Sequence, residues 1–141
     1  MEGSLAVVND DLEATVHAFI DRAWNEGDFS AAHALFTPGF QHHDLVTQHD
    51  TDVAGYFDSI RALRRKFPNV RLEIRDSVVA DDRVASRWTV VGVHADTGRP
   101  VAVHGMSIDR LLAGRIDENW TVWDRHGLRE QLRTDTPSGP G

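Results

Sequence analysis

The chain has 141 residues, of which 40% are hydrophobic and 26% charged, the size and make-up of a single globular domain and outside the range of disordered chains. Twenty-two acidic side chains against 15 basic ones leave a net charge of -7, without the basic footprint that nucleic-acid binding needs. There is no cysteine, which excludes disulfides, thiolate metal sites and a cysteine nucleophile and is compatible with a reducing compartment.

Met1 to Asn9 has no basic flank and only the short apolar run Leu5-Ala6-Val7-Val8, so neither a signal peptide nor a membrane span is predicted and the location is read as cytoplasmic. From Asp10 to Asn25 the residues Leu12, Val16, Phe19, Ile20, Ala23 and Trp24 recur at three- and four-residue steps, which predicts an amphipathic helix capped by Asn9 or Asp10. Asn25-Glu26-Gly27-Asp28 stops it, and Asp28 caps a short second helix carrying Ala31, Ala32, Leu35 and Phe36. Thr37-Pro38-Gly39 reads as a turn and Phe40 to Asp44 as an extended piece. A third helix places Val53, Tyr56, Phe57, Ile60, Leu63 and Phe67 on one face and ends at Pro68. Its basic run of Arg61, Arg64, Arg65 and Lys66 reads as a solvated face.

After Asn69 the period changes. Alternating stretches divided by Asp81-Asp82, Asp96-Thr97-Gly98 and Ala113-Gly114 predict four consecutive antiparallel strands, at about 70–80, 83–95, 100–112 and 115–125. The segment from Thr134 to Gly141 has no apolar residue and is expected to be a disordered tail on a single domain of residues 1–133. Helices first and strands afterwards define an α+β fold, with three N-terminal helices packed on a curved antiparallel sheet and a pocket between the layers.

Register decides which side chains enter that pocket, because a slip of one residue moves a whole strand to the other face. A type I turn with a bulge at Gly114 pairs Leu111 with Arg115 and spares Ala113 a positive φ. His104, Met106, Ile108 and Arg110 then share a face with Ile116, Glu118, Trp120, Val122 and Asp124. The same turn at Asp96-Thr97-Gly98 pairs Ala95 with Arg99 and sets Ser86, Trp88, Val90 and His94 beside His104. This mostly apolar face is read as the cavity wall, with Trp88 and Trp120 in it. Asp117, Asn119, Thr121 and Trp123 face solvent or a partner subunit. Burial raises the pKa of a Glu and lowers that of a His, so Glu118 and His104 are the candidates for proton transfer near neutral pH. An ion-pair partnership of Glu118 with Arg110 or His104 is the structural alternative.

His42-His43-Asp44, with His49 and Asp50 nearby, resembles a metal-ligand run, yet neighbours on a strand point to opposite faces. No metal is predicted, and one of the two histidines faces the cavity. No glycine-rich phosphate loop, GxSxG elbow or HExxH helix occurs.

Trp24-Asn25-Glu26-Gly27-Asp28, Phe36-Thr37-Pro38-Gly39-Phe40-Gln41-His42-His43-Asp44, Phe67-Pro68-Asn69-Val70, Thr97-Gly98-Arg99-Pro100-Val101, Gly114-Arg115-Ile116-Asp117-Glu118-Asn119-Trp120 and Gly127-Leu128-Arg129-Glu130-Gln131-Leu132 together resemble the SnoaL-like polyketide cyclase family over roughly residues 10–132. The resemblance implies a ketosteroid isomerase-like cone, a homodimer, and ring closure on a hydrophobic polyketide in secondary metabolism with no cofactor. By motif, the family's last-strand carboxylate falls on Glu118, its histidine one strand earlier on His104, and its first-strand histidine on His43. Trp24, Phe57, Trp88, Met106 and Trp120 complete the expected substrate-binding set. Two departures stand out: the founding cyclases carry Asp at the position of Glu118, and their long insertion around residues 95–98 is trimmed here to a tight turn. The predicted activity is therefore aldol-type acid-base closure or confinement-driven pericyclic closure. A non-catalytic ligand-binding module and an epoxide hydrolase using Asp124 are the alternatives.

Overall fold

In the computed structural model, which describes residues 2–133 with side chains from residue 11 onward, the first apolar stripe forms helix α1 (Glu2–Phe19). It starts well before the expected cap, so Asn9 and Asp10 lie within it. The helix widens into a π-helical turn over Ile20–Asn25. Asp28 caps α2 (Phe29–His33) as expected, accepting from Ala31 N at 3.1 Å. Phe36 is not helical. It opens strand β1 (Phe36–Asp44), which runs through the Thr37-Pro38-Gly39 segment expected to turn, and β2 (His49–Thr51) follows. Asp52 caps α3 (Val53–Lys66) through Gly55 N at 3.0 Å. Then come β3 (Arg71–Ala80), β4 (Arg83–Val93), β5 (Pro100–Leu112) and β6 (Arg115–Trp123), and Asp124 caps a closing helix, α4 (Arg125–Gln131). The expected disordered tail, 134–141, lies outside the described residues.

The sheet order is β2-β1-β6-β5-β4-β3, antiparallel except for the parallel pair β1 and β6. The extended piece before α3 therefore joins the meander instead of standing apart. The apolar sides of α1, the π turn and α3 pack on one sheet face, where Phe19, Phe36, Phe40 and Phe57 meet largely edge to face at centroid distances from 4.7 to 5.3 Å. Among the described residues no helix is long and apolar enough to cross a membrane.

Two register features depart from expectation. Between β4 and β5, Val93 pairs with Pro100 and His94 N donates to Arg99 O at 2.8 Å, one step from the expected pairing of Ala95 with Arg99. Trp88 consequently lies opposite Gly105, and Ser86 opposite Ser107. Gly105 makes this possible: a Cβ there would fall 2.2 Å from Trp88 Cη2, so only glycine lets the indole lie across β5. At the next turn Leu112 pairs with Arg115, and Ala113 (φ 52°) and Gly114 (φ 81°) both adopt the left-handed conformation of a two-residue hairpin. The bulge sits farther along. Leu111 faces Ile116 and Arg110 faces Glu118, leaving Asp117 as the extra residue. Its carboxylate accepts from Thr37 Oγ1 at 2.7 Å and Arg110 Nη2 at 2.9 Å. The expected partnership of the even-numbered residues of β5 with Glu118, Trp120 and Val122 holds, but Ile116 falls on the other side of the bulge. The face they share looks away from the helices.

Two substitutions check this geometry by thermal or denaturant unfolding. Gly105→Ala drives a methyl into the Trp88 ring and should lower stability by about 1–3 kcal/mol. Ala113→Asn replaces a strained left-handed alanine with a residue that tolerates it, and should raise stability by up to about 1 kcal/mol.

Candidate active site

With β5 and β6 in this register, Val101, Val103, Ser107 and Asp109 project toward the helices together with Asn119, Thr121 and Trp123. They enclose a cavity of about 240 Å³ whose remaining wall is largely apolar and includes Phe19, Trp24, Ile60, Trp88 and Val90. Among the described residues that line it, five polar side chains are buried: His42, Tyr56, Ser86, Asp109 and Asn119.

Three of these, His42, Asp109 and Asn119, belong to a directed chain of hydrogen bonds. Trp88 Nε1 can only donate, and it donates to Ser107 Oγ at 3.0 Å. Ser107 Oγ is 3.2 Å from Thr121 Oγ1, which donates to Asn119 Oδ1 at 2.8 Å. With its oxygen an acceptor, the Asn119 amide presents Nδ2 to Asp109 Oδ1 at 2.8 Å. His42 Nδ1 lies 2.7 Å from the same Asn119 oxygen and must carry its hydrogen there. The imidazole is thereby held as the Nδ1–H tautomer, with its Nε2 lone pair unused by any side chain among the described residues. The parallel pairing of His42 with Asn119 across β1 and β6 places the two together.

Burial reverses the usual proton order of the two ionisable groups. Asp109 is 3% exposed, and desolvation pushes its pKa up to about 7 against the opposing pull of Asn119. His42 moves the other way, its pKa lowered chiefly by burial although the Asn119 hydrogen bond favours the charged form. Near neutrality the carboxyl can hold a proton while the imidazole lacks one, an acid and a base made from the same amide bridge. Tyr56 stacks on His42 at 4.0 Å. Burial, reinforced by the Asp109 charge, raises its pKa and keeps it a phenol.

The residues expected at this site divide. Trp24 and Trp88 line the cavity. Of the adjacent histidines it is His42 that turns inward, and the placement expected for His43 is corrected. His43 projects from the opposite sheet face, where its Nε2 is 2.7 Å from Glu118 Oε2 and its Nδ1 is 2.8 Å from Asp50 Oδ1. Its pKa is raised first by Asp50 and then by Glu118, against some desolvation. Glu118 and His104 share that outer face and do not enter the cavity. The second oxygen of Glu118 accepts from Arg110 Nη2 at 2.7 Å, the ion-pair role weighed against catalysis. His104 is exposed and bonded to Thr89 at 3.1 Å. Glu118 pairs with Arg110, six residues along β5 from His104, so the two stand roughly 20 Å apart. Trp120, stacked over His43, and Met106, 53% exposed, lie on the same outer face. Phe57 is buried in the aromatic cluster with Phe29 and Phe36, away from the cavity. Asp124 caps α4. Among the described residues no group of three or more His, Cys, Asp or Glu side chains is placed to hold a metal ion.

Asp109, Asn119 and Tyr56 did not emerge from the sequence as site residues. Gly105 was the available signal. A glycine inside a strand marks a close approach, and Trp88 on the neighbouring strand is the large side chain that needs the room.

Fold and cavity together define a ketosteroid isomerase-like protein. The family model for SnoaL-like polyketide cyclases matches residues 14–132, and the chain belongs to that family. Wild-type IdmH, a candidate polyketide cyclase from Streptomyces antibioticus, is 26% identical with a TM-score of 0.79, over 86% of this chain and 97% of its own. AclR, a candidate hydroxylase from Streptomyces galilaeus, is 24% identical with a TM-score of 0.78 over 88% and 96%. A protein of ketosteroid isomerase-like fold from Catenulispora acidiphila, solved with trimethylamine, is 19% identical with a TM-score of 0.73 over 83% and 90%. Among curated proteins none matches significantly.

The raised pKa of Asp109 carries a stability signature. Its folded-state value of about 7 lies above the ordinary 3.8, so the stability it contributes is fully present below about pH 4 and is lost as pH rises through 7. Asp109→Asn lacks this loss. Its melting temperature minus that of the native protein should therefore climb between pH 5 and pH 8, and a flat difference would contradict the assignment.

Proposed function

We propose that the protein is a cytoplasmic polyketide cyclase that closes a ring on a hydrophobic polyketide intermediate of secondary metabolism by acid-base chemistry, with Asp109 and His42 in the roles first expected of Glu118 and His104. The observation that carries this reading is a buried carboxyl and a buried imidazole joined through one amide in an apolar cavity, where burial pushes the pKa of Asp109 up and that of His42 down. Perturbed titratable pairs of this kind mark acid and base assignments.

In an aldol-type closure, His42 Nε2 takes the proton from a carbon between two carbonyls. The carbanion adds to a second carbonyl carbon, and the developing alkoxide takes the proton of Asp109. No atom is lost, so the product is an isomer of equal mass. Asn119 positions both groups, and the proton returns from imidazolium to carboxylate when product leaves. Ligand sites are commonly about 300–1,000 Å³, and a cavity of about 240 Å³ suits the reacting one- or two-ring portion of a substrate. Holding the reacting ends in that space supplies further rate by orientation.

A second copy of the chain is the partner proposed for the outer sheet face. Met106 pairs with Val122 and Ile108 with Trp120 across β5 and β6, and Met106, Ile108 and Val122 remain at least 41% exposed. Neighbouring apolar pairs on an open face mark an interaction surface.

Incubating the protein with a linear polyketide intermediate and looking for an isomer of equal mass tests the activity. Asp109→Asn should cut turnover on the order of 10²-fold or more, while Glu118→Gln should stay near the native rate. Near-native turnover by Asp109→Asn would point to confinement alone, and tight binding without conversion to a non-catalytic ligand-binding module. In light scattering the native protein should run as a dimer and Ile108→Lys as a monomer; a monomeric native protein would remove the proposed interface.

A further inference from the structure

We propose that the hydroxyl pair Ser107 and Thr121 is a ligand-recognition site that accepts hydrogen bonds and gives none, and so selects a substrate that carries an alcohol, enol or phenol O–H there in place of a ketone. The inference rests on the proposed reading of this cavity as a substrate site and adds the chemistry of what it takes. Register builds the pair. Ser107 lies opposite Thr121 across β5 and β6, and Thr121 lies beside Asp44 across β6 and β1. All three line the cavity and are partly exposed. Ser107 and Thr121 alternate along their strands with the outward-facing Met106, Ile108, Trp120 and Val122, so their own exposure opens inward.

The supply of hydrogens fixes what the pair can offer. A serine or threonine hydroxyl has one hydrogen and two lone pairs. The Thr121 hydrogen goes to Asn119 Oδ1 at 2.8 Å. Thr121 has none left for Ser107, 3.2 Å away, so it is the Ser107 hydrogen that lies between the two oxygens. Ser107 Oγ in turn accepts from the Trp88 indole. Both hydrogens are spent within the protein, and each oxygen keeps one lone pair. Asp44 continues the row in the same sense, accepting from Val46 N, Thr47 N and Trp123 Nε1. Ser86, opposite Ser107 on β4, is 3% exposed and bonded to Ser77 Oγ at 3.2 Å. A ligand O–H over the pair gains a hydrogen bond, whereas a carbonyl oxygen there meets only lone pairs and loses its water without replacement. Asp109 has the opposite character, since a carboxyl that holds a proton donates it. It stands two residues along β5 from Ser107, about 7 Å away. A wall polarised in this way fits a hydroxyketone that turns its hydroxyl to Ser107 and Thr121 and its reacting carbonyl to Asp109.

Two size-matched pairs of probes, titrated into 15N-labelled protein and followed by NMR, test this: 2-naphthol against 2-methylnaphthalene, and 2-methoxynaphthalene against 2-ethylnaphthalene. At pH 8.5 Asp109 is ionised and offers no competing proton. The native protein should bind 2-naphthol about two- to tenfold more tightly than 2-methylnaphthalene. The Trp88 indole N–H resonance, assigned by its absence in Trp88→Phe, should move further with 2-naphthol, which engages the same oxygen that the indole donates to. Thr121→Val keeps the side-chain shape but removes the acceptor of the Ser107 hydrogen, which then turns to the cavity. The preference for 2-methoxynaphthalene over 2-ethylnaphthalene should therefore rise about two- to tenfold over that of the native protein. A Trp88 resonance that responds alike to 2-naphthol and 2-methylnaphthalene, or a folded Thr121→Val with an unchanged methoxy preference, would overturn the proposal; the first readout stands even if the variant folds poorly. Failure of all four probes to bind would remove the ligand-site reading itself, and this inference with it.

Discussion

The indole of Trp88 lies across β5 at Gly105, and the rest of the site follows from that contact. No residue with a Cβ fits beneath the ring, so β4 and β5 can pair in only one register without displacing it. That register turns the odd-numbered side chains of β5 toward the helices and brings Asp109 into the cavity. The same indole then supplies the N–H that begins the hydrogen-bonded chain through Ser107 and Thr121 to Asn119. One side chain thereby settles both the face of a strand and the sense of a polar network.

Asn119 divides that network into two functions. Its amide oxygen holds the imidazole of His42 in one tautomer, and its amide nitrogen supports the carboxyl of Asp109. The bulge at Asp117 is what presents Asn119 inward, since an unbulged pairing would turn Glu118 toward the helices instead. The contrast between the two sheet faces is electrostatic. Inside, burial dominates and both groups favour their neutral forms. Outside, Glu118 is shared between Arg110 and His43, and His43 between Glu118 and Asp50, so opposite charges sustain one another and the carboxylate has neither a free oxygen nor a dry surrounding.

Much of the architecture was legible in the amino-acid pattern. The stripe from Leu12 to Trp24, the Asp28 cap, the stop at Pro68 and the strands after Asn69 follow from local periodicity and turn chemistry, and those signals lie within a few residues of the structure they specify. The cavity face was not legible from the same signals, because it depends on non-local pairing. An apolar row at Met106, Ile108, Trp120 and Val122 reads equally well as an inner wall or as an outer surface. Turn rules favoured a bulge at Gly114, whereas Ala113 accepts the left-handed conformation and the bulge moves to Asp117, where Thr37 and Arg110 secure it. Neither partner is near Asp117 on the basis of helix and strand period alone. His42 and His43 could be assigned to opposite faces from strand geometry, but choosing between them required Asn119 as the neighbour.

The central claim is that, in the folded protein near neutral pH, the carboxyl of Asp109 can hold a proton while His42 does not. A titration followed by carbon-13 NMR at the Asp109 carboxyl and nitrogen-15 NMR at the His42 ring measures it directly. The expected result is a carboxyl midpoint near 7, with His42 a predominantly neutral Nδ1–H tautomer at pH 7. A carboxyl that ionises in the ordinary aspartate range, beside an imidazolium at that pH, would contradict it.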